Sequence, residues 1–152
     1  MEKDFLDFLV RAKRATYASN GEGGETKLSD GGKELTFKEG DFSYKDKYYG
    51  SKRFVGEEIV WQKGRAIWGM NYYGEIMDDA ADFEEIFTFL KMALMRNSID
   101  TPYRGPREFL EGNFTYLNKF SGTSDSFLGN EKIYFEKKEV FRLFYTGGKI
   151  EK

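Results

Sequence analysis

The chain of 152 residues contains no cysteine and no histidine. Thiolate nucleophiles, disulfides, Cys/His zinc sites and imidazole acid–base chemistry are thereby excluded. Any catalysis would fall to carboxylates, Lys, Tyr, Ser/Thr or a carboxylate-bound metal. Basic residues are not in excess: 24 Lys and Arg stand against 26 Asp and Glu, a formal net charge of −2. A general nucleic-acid surface carries a strong basic excess, so no nucleic acid is expected as a direct partner. No apolar run approaches the length of a membrane span, and no membrane partner is expected. The N-terminal MEKDFLDFLVRAKR is too charged for a signal peptide and lacks its long apolar core. A reducing cytoplasm is the default compartment. A phosphate loop is missing too, because Gly21-Glu22-Gly23-Gly24-Glu25 lacks the Walker lysine and the strand-to-helix setting. No motif points to a cofactor, a metal or a set of catalytic residues.

What the chain does have is aromatic residues, 18% of the total, and an internal repeat. Phe37, Glu39, Gly40, Phe42 and Tyr44 return 72 positions later as Phe109, Glu111, Gly112, Phe114 and Tyr116. Past one inserted residue, Phe54, Gly56, Glu58, Tyr72 and Gly74 return as Phe127, Gly129, Glu131, Tyr145 and Gly147. A repeat of this kind says how a chain is built before any single motif does. The shared glycines mark turns, bulges or close strand approaches.

Residues 3–17 read as an amphipathic helix, with Phe5, Phe8, Leu9 and Ala12 on one side and Asp, Lys and Arg on the other. Residues 18–33, rich in Gly and Ser, read as a mobile loop. Strands follow around Phe42–Tyr48, Arg53–Gln62 and Ala66–Ile76, with a hairpin turn at Lys63-Gly64. Asp82 is a suitable N-cap for a helix over 82–97, and that helix is apolar around most of its circumference. Asn113–Phe120, Phe127–Phe135 and Glu139–Tyr145 complete the strands. The pattern predicts one α+β domain spanning 1–152, a tandem duplication of a helix plus an antiparallel three- or four-stranded meander. The repeats cover about 3–77 and about 82–150, related by a pseudo-twofold axis, with the second helix largely buried against the sheet.

The words FLVRAKRATYA, EGDFSYKD, YYGSKRFVGEEIVW, IWGMNYYG and TPYRGPREF together resemble an uncharacterised bacterial family, a domain of unknown function. In that family the domain occurs alone or behind the helix-turn-helix domain of transcriptional regulators. The resemblance covers nearly the whole chain and brings no known activity. It implies a sensory or interaction role by analogy only. This chain lacks the helix-turn-helix part, so direct DNA binding is not implied.

Residues special to one repeat are better functional candidates than shared ones. The first repeat has Glu57, Trp61, Trp68 and Asn71 where the second has Asn130, Tyr134, Phe141 and Phe144. With Tyr72 and Glu58 they suit an aromatic pocket carrying few polar groups. Core packing is the commoner use of such tryptophans and the leading alternative. Glu58 and its counterpart Glu131 sit on otherwise apolar strand faces, where they either hold a cation or pair internally. Tyr103-Arg104-Gly105-Pro106-Arg107 is the one concentrated basic loop and a candidate anion site. The candidate ligand-binding set is therefore Glu57, Glu58, Trp61, Trp68, Asn71, Tyr72, Tyr103 and Arg104. Three readings follow: a non-enzymatic small-molecule-binding or sensory domain, a protein-interaction module able to form a homodimer, and a carboxylate-based enzyme. No residue pair singles out the third.

Overall fold

The computed structural model describes residues 2–18, 25–77 and 82–152. Helix α1 spans Glu2–Ala18 and helix α2 spans Phe83–Leu94. Nine strands surround them in sequence. These are β1 (Thr26–Lys27), β2 (Lys33–Glu39), β3 (Phe42–Gly50), β4 (Arg53–Gln62), β5 (Arg65–Ile76), β6 (Glu108–Glu111), β7 (Phe114–Thr123), β8 (Ser126–Phe135) and β9 (Lys138–Lys149). All belong to one antiparallel sheet, in the order β1-β2-β3-β4-β5-β9-β8-β7-β6.

This architecture overturns the expected α+β arrangement of two helix-plus-meander units. The fold is β-rich, a single continuous sheet with two helices laid on it. The physical reason is the pairing of β5 with β9, from Trp68 opposite Lys149 to Ile76 opposite Phe141. Two meanders that each leave a long central edge strand join there, so neither edge stays open. The outermost strands, β1 and β6, are only two and four residues long. Helix α2 is also not encircled by protein: Ile86, Phe89, Leu90, Ala93 and Leu94 are buried, whereas Phe83 is 37% exposed.

Local signals explain most of the elements. The β4–β5 hairpin turns at Lys63 (φ 51°) and Gly64 (φ 79°), the two positive angles that a tight hairpin turn needs. The side chain of Asp82 accepts from the amides of Glu84 and Glu85 and caps α2. At the other end of α2, Arg14 of α1 donates to the carbonyl of Asn97 (2.5 Å) and to its side chain (2.9 Å). The stretch predicted to be a loop at 18–33 is ordered in its second part, where Thr26–Lys27 pairs with Lys33 and Glu34. Its residues 19–24 lie outside the described residues, as do residues 78–81.

Alternation sorts the strands into two faces. The inner face carries Tyr44, Val60, Trp68, Met70, Tyr72, Tyr116, Ile133, Leu143 and Tyr145, which form one core with Phe5, Phe8 and Leu9 of α1 and Ile86, Phe89 and Leu90 of α2. Phe8 stacks on Phe42, and Phe89 on Phe114. Among the described residues no helix covers the outer face. There Val55 pairs with Tyr73, and Tyr73 with Phe144, all three more than 40% exposed.

Candidate functional site

Beneath the helices the inner face holds buried charge. Tyr44 donates to Glu58 Oε1 at 2.7 Å, and Lys13 of α1 pairs with the same oxygen at 2.8 Å. Lys13 also donates to the Tyr103 carbonyl. Both ion-pair partners are fully buried, and burial lowers the Lys13 pKa while Glu58 works the other way. In the other half of the sheet Tyr116 donates to Glu131, and Arg104 grips both oxygens of Glu131 at 2.9 Å. Burial and the Glu131 charge hold the Tyr116 hydroxyl well above its usual range. The chain thus supplies its own cation to each of the two glutamates.

A third interaction spans three strands. Tyr72 of β5 reaches across β4 and donates to Asp46 Oδ1 of β3 at 2.6 Å. The ring passes over Gly56, where a Cβ would run into the tyrosine hydroxyl. Likewise Tyr145 of β9 passes over Gly129 of β8 and donates to Asn118 of β7 at 2.8 Å. The two arrangements differ in one atom of chemistry, a carboxyl against an amide. Asp46 lies directly opposite Glu58 in the β3–β4 register, whereas Asn118 lies opposite Glu131. Burial first, then the neighbouring Glu58 charge, pushes the Asp46 pKa up to about 7, against the Tyr72 hydrogen bond and the Lys13 and Arg104 charges.

Asp46 also forms part of the wall of a cavity of about 300 Å³. The cavity lies between α2 and the first half of the sheet. Phe54, Phe83, Phe87 and Leu90 are its apolar side, with Tyr48 and Tyr72 beside Asp46. The rings are contiguous: Phe83 meets Phe87 edge-on at 5.0 Å, Phe87 lies 6.0 Å from Phe54, and Phe54 lies 6.0 Å from Tyr72. Glu25, Lys33 and Lys91 are half-buried lining groups, and Glu25 accepts a hydrogen bond from Tyr48. In the other half, Tyr103 packs flat against Phe127 at 3.8 Å and edge-on to Phe120. Phe127 and Phe120 match Phe54 and Tyr48 in strand register, so Tyr103 packs on the second-half counterparts of two cavity residues.

The sequence profile of a domain of unknown function, DUF5680, matches residues 46–150. The chain belongs to this family. No curated protein and no solved structure matches it. The DUF5680 match begins at Asp46 and includes Glu58, Tyr72, Arg104 and Glu131, while Lys13, Lys33 and Leu35 precede it.

The eight residues singled out from the sequence are divided by the sheet. Glu58, Trp68, Tyr72, Tyr103 and Arg104 are buried on the inner side. Tyr72 and Arg104 line the cavity. Trp68 stacks on Tyr103 and Phe127, with its indole nitrogen buried and unpartnered among the described residues. Glu57 and Asn71 pair with one another on the exposed outer face. Trp61 is half-buried beside the Lys45 ammonium, 5.8 Å from its ring. Arg104 of the basic loop is turned inward on Glu131, and Arg107 stands over the Phe120 ring. Asp46 was missed, although an offset of 72 sets it opposite Asn118 in the sequence. Among the described residues no group of His, Cys, Asp and Glu is placed to hold a metal ion, and no helix is long and apolar enough to cross a membrane.

Proposed function

We propose that this chain is a non-enzymatic small-molecule-binding domain whose ligand enters the cavity between α2 and strands β3–β5. One observation carries this reading: the cavity has a continuous aromatic wall and a buried carboxyl group, while Tyr103 occupies the matching place in the other half. An apolar concavity with a few convergent polar groups is the usual form of a ligand site. The resemblance to domains found alone or behind helix-turn-helix domains of bacterial regulators supports a sensory use of such a site.

The absence of cysteine makes a clean test available. Phe83 lies at the exposed edge of the aromatic wall, so Phe83→Cys places a single thiol there. A fragment screen by NMR should yield ligands that shift the methyl signals of Leu35, Leu90 and Leu94. Modification of the thiol with a bulky reagent should then abolish their binding. Ligands that shift other methyl groups, or that bind the modified protein as tightly, would place the site elsewhere.

A second reading is favoured by the outer face, where Val55, Tyr73 and Phe144 form one exposed row with Leu128 beside it. An apolar row on an uncovered sheet suits a protein-interaction surface. Light scattering on the parent and on a Tyr73→Lys, Phe144→Lys variant tests it through self-association.

A further inference from the structure

We propose that the cavity takes an organic cation, a primary or substituted ammonium on an apolar, ring-sized body, with Asp46 as its counter-ion. This deepens the binding reading above and rests on it.

Two cations from other elements act on Asp46. From α1 comes Lys13, already paired with Glu58 of β4; from the loop after α2 comes Arg104, already paired with Glu131 of β8. Each of these ion pairs is neutral within itself. Tyr72 of β5 offers a single hydrogen bond, and it falls on Oδ1. Asp46 Oδ2 has no hydrogen-bond partner among the described residues, although the side chain is 4% exposed and lines the cavity. An ionised Asp46 has no ion-pair partner of its own among the described residues. A ligand cation placed against Oδ2 supplies that partner and the missing donor.

The walls suit the same chemistry. Ring faces carry negative potential and attract an ammonium group within about 6 Å, most strongly where water is displaced. Lys33 already stands 5.9 Å over the Tyr48 ring and Arg104 5.7 Å over the Tyr72 ring, so Phe54 and Phe87 are the lining rings left to face a ligand cation. Lys33 of β2 and Lys91 of α2 are the remaining cations, and Glu25 is a second carboxylate. Lys33 is held over the Tyr48 ring and Lys91 belongs to α2, so these two receive the neutral or acidic end of the ligand and Asp46 its ammonium. In the other half an amide, Asn118, replaces the carboxyl and Tyr103 fills the space. Of the two matching positions, 46 alone carries a carboxyl group.

The test uses three probes of equal size: benzylamine, benzyl alcohol and benzoate. Binding is followed by protein-detected NMR on the intact chain at pH 6 and pH 8. Benzylamine should bind at the cavity at least tenfold tighter than the other two at pH 8. Only the ionised form of Asp46 is competent for the cation, so its affinity should fall roughly tenfold at pH 6. Asp46→Asn should lose at least tenfold in benzylamine affinity and leave benzyl alcohol unchanged. This variant copies the arrangement at Asn118, and the wild-type pH profile decides the matter even if it does not fold. Equal or tighter binding of benzyl alcohol or benzoate would overturn the cation proposal and leave the pocket standing. Binding of none of the three at the cavity would remove both.

Discussion

A methyl group at position 56 would collide with the Tyr72 hydroxyl, so glycine there is what lets a tyrosine on β5 reach an aspartate two strands away. The price of the reach is a carboxyl held out of water directly opposite Glu58. An acid whose folded pKa is raised binds more protons folded than unfolded between its ordinary value of 3.8 and about 7. Stability therefore falls as pH rises through that window and stays reduced above it. Below about pH 4 both states hold the proton and the group contributes nothing. Asp46→Asn keeps an acceptor for Tyr72 and removes the ionisation. In urea titrations the variant should gain on wild type from pH 4 to 7, by a few kcal/mol at most. A difference between the two proteins that stays constant across that range would mean that Asp46 ionises normally.

At the scale of elements, α1 is fixed to the sheet by a charge. Lys13 is fully buried and meets Glu58, the Tyr103 carbonyl and the Met70 sulfur. Removing one partner of a buried ion pair leaves the other uncompensated, at a cost of about 3–5 kcal/mol. Lys13→Met should lose that much in denaturant titrations. Adding Glu58→Gln should restore part of it, a coupling that a double-mutant cycle measures. A Lys13→Met loss below about 1 kcal/mol would show that the ammonium is not needed there. The helix itself was legible in the spacing of Phe5, Phe8, Leu9 and Ala12. The burial of Lys13 was not, because periodicity assigns any lysine to the wet side and the partner lies 45 positions away. Helix α2 shows a related error. Its apolar excess suggested burial on more than one side, yet Phe83 is exposed and Phe87 half-buried where they line the cavity. Parity explains the division of the candidate site: Asn71 and Tyr72 are neighbours in sequence, and adjacent residues of a strand point to opposite faces. The repeat marked Gly56 and Gly129 as turns, bulges or close strand approaches, and each lies under a tyrosine ring. By rewarding identity it also concealed the exchange of Asp46 for Asn118, the difference that separates the two inner faces.

The whole molecule depends on the β5–β9 seam, which no local signal announces because it pairs residues distant in the chain. Nine residue pairs join the halves there, and Trp68 of β5 stacks across the seam on Phe127 of β8. With one sheet and one core, the halves should unfold together rather than in turn. Leu143 of β9 tests this. It is fully buried on the inner face, opposite Gly74 of β5. Leu143→Ala should cost about 2–5 kcal/mol through lost burial and the cavity left behind. Trp68 stacks across the seam, whereas Trp61 of β4 stands beside Lys45 of β3, so in a Trp68→Phe background the fluorescence of Trp61 reports the first half alone. Far-ultraviolet circular dichroism reports the backbone of both halves. The two signals should give one midpoint in the parent and should move together in the variant. If part of the dichroism were lost early while the fluorescence midpoint stayed where it was, the second half would be melting alone. The seam would then join two separately cooperative units, and the ion pairs that cross from helix and loop into the sheet would have to be assigned to each unit by itself.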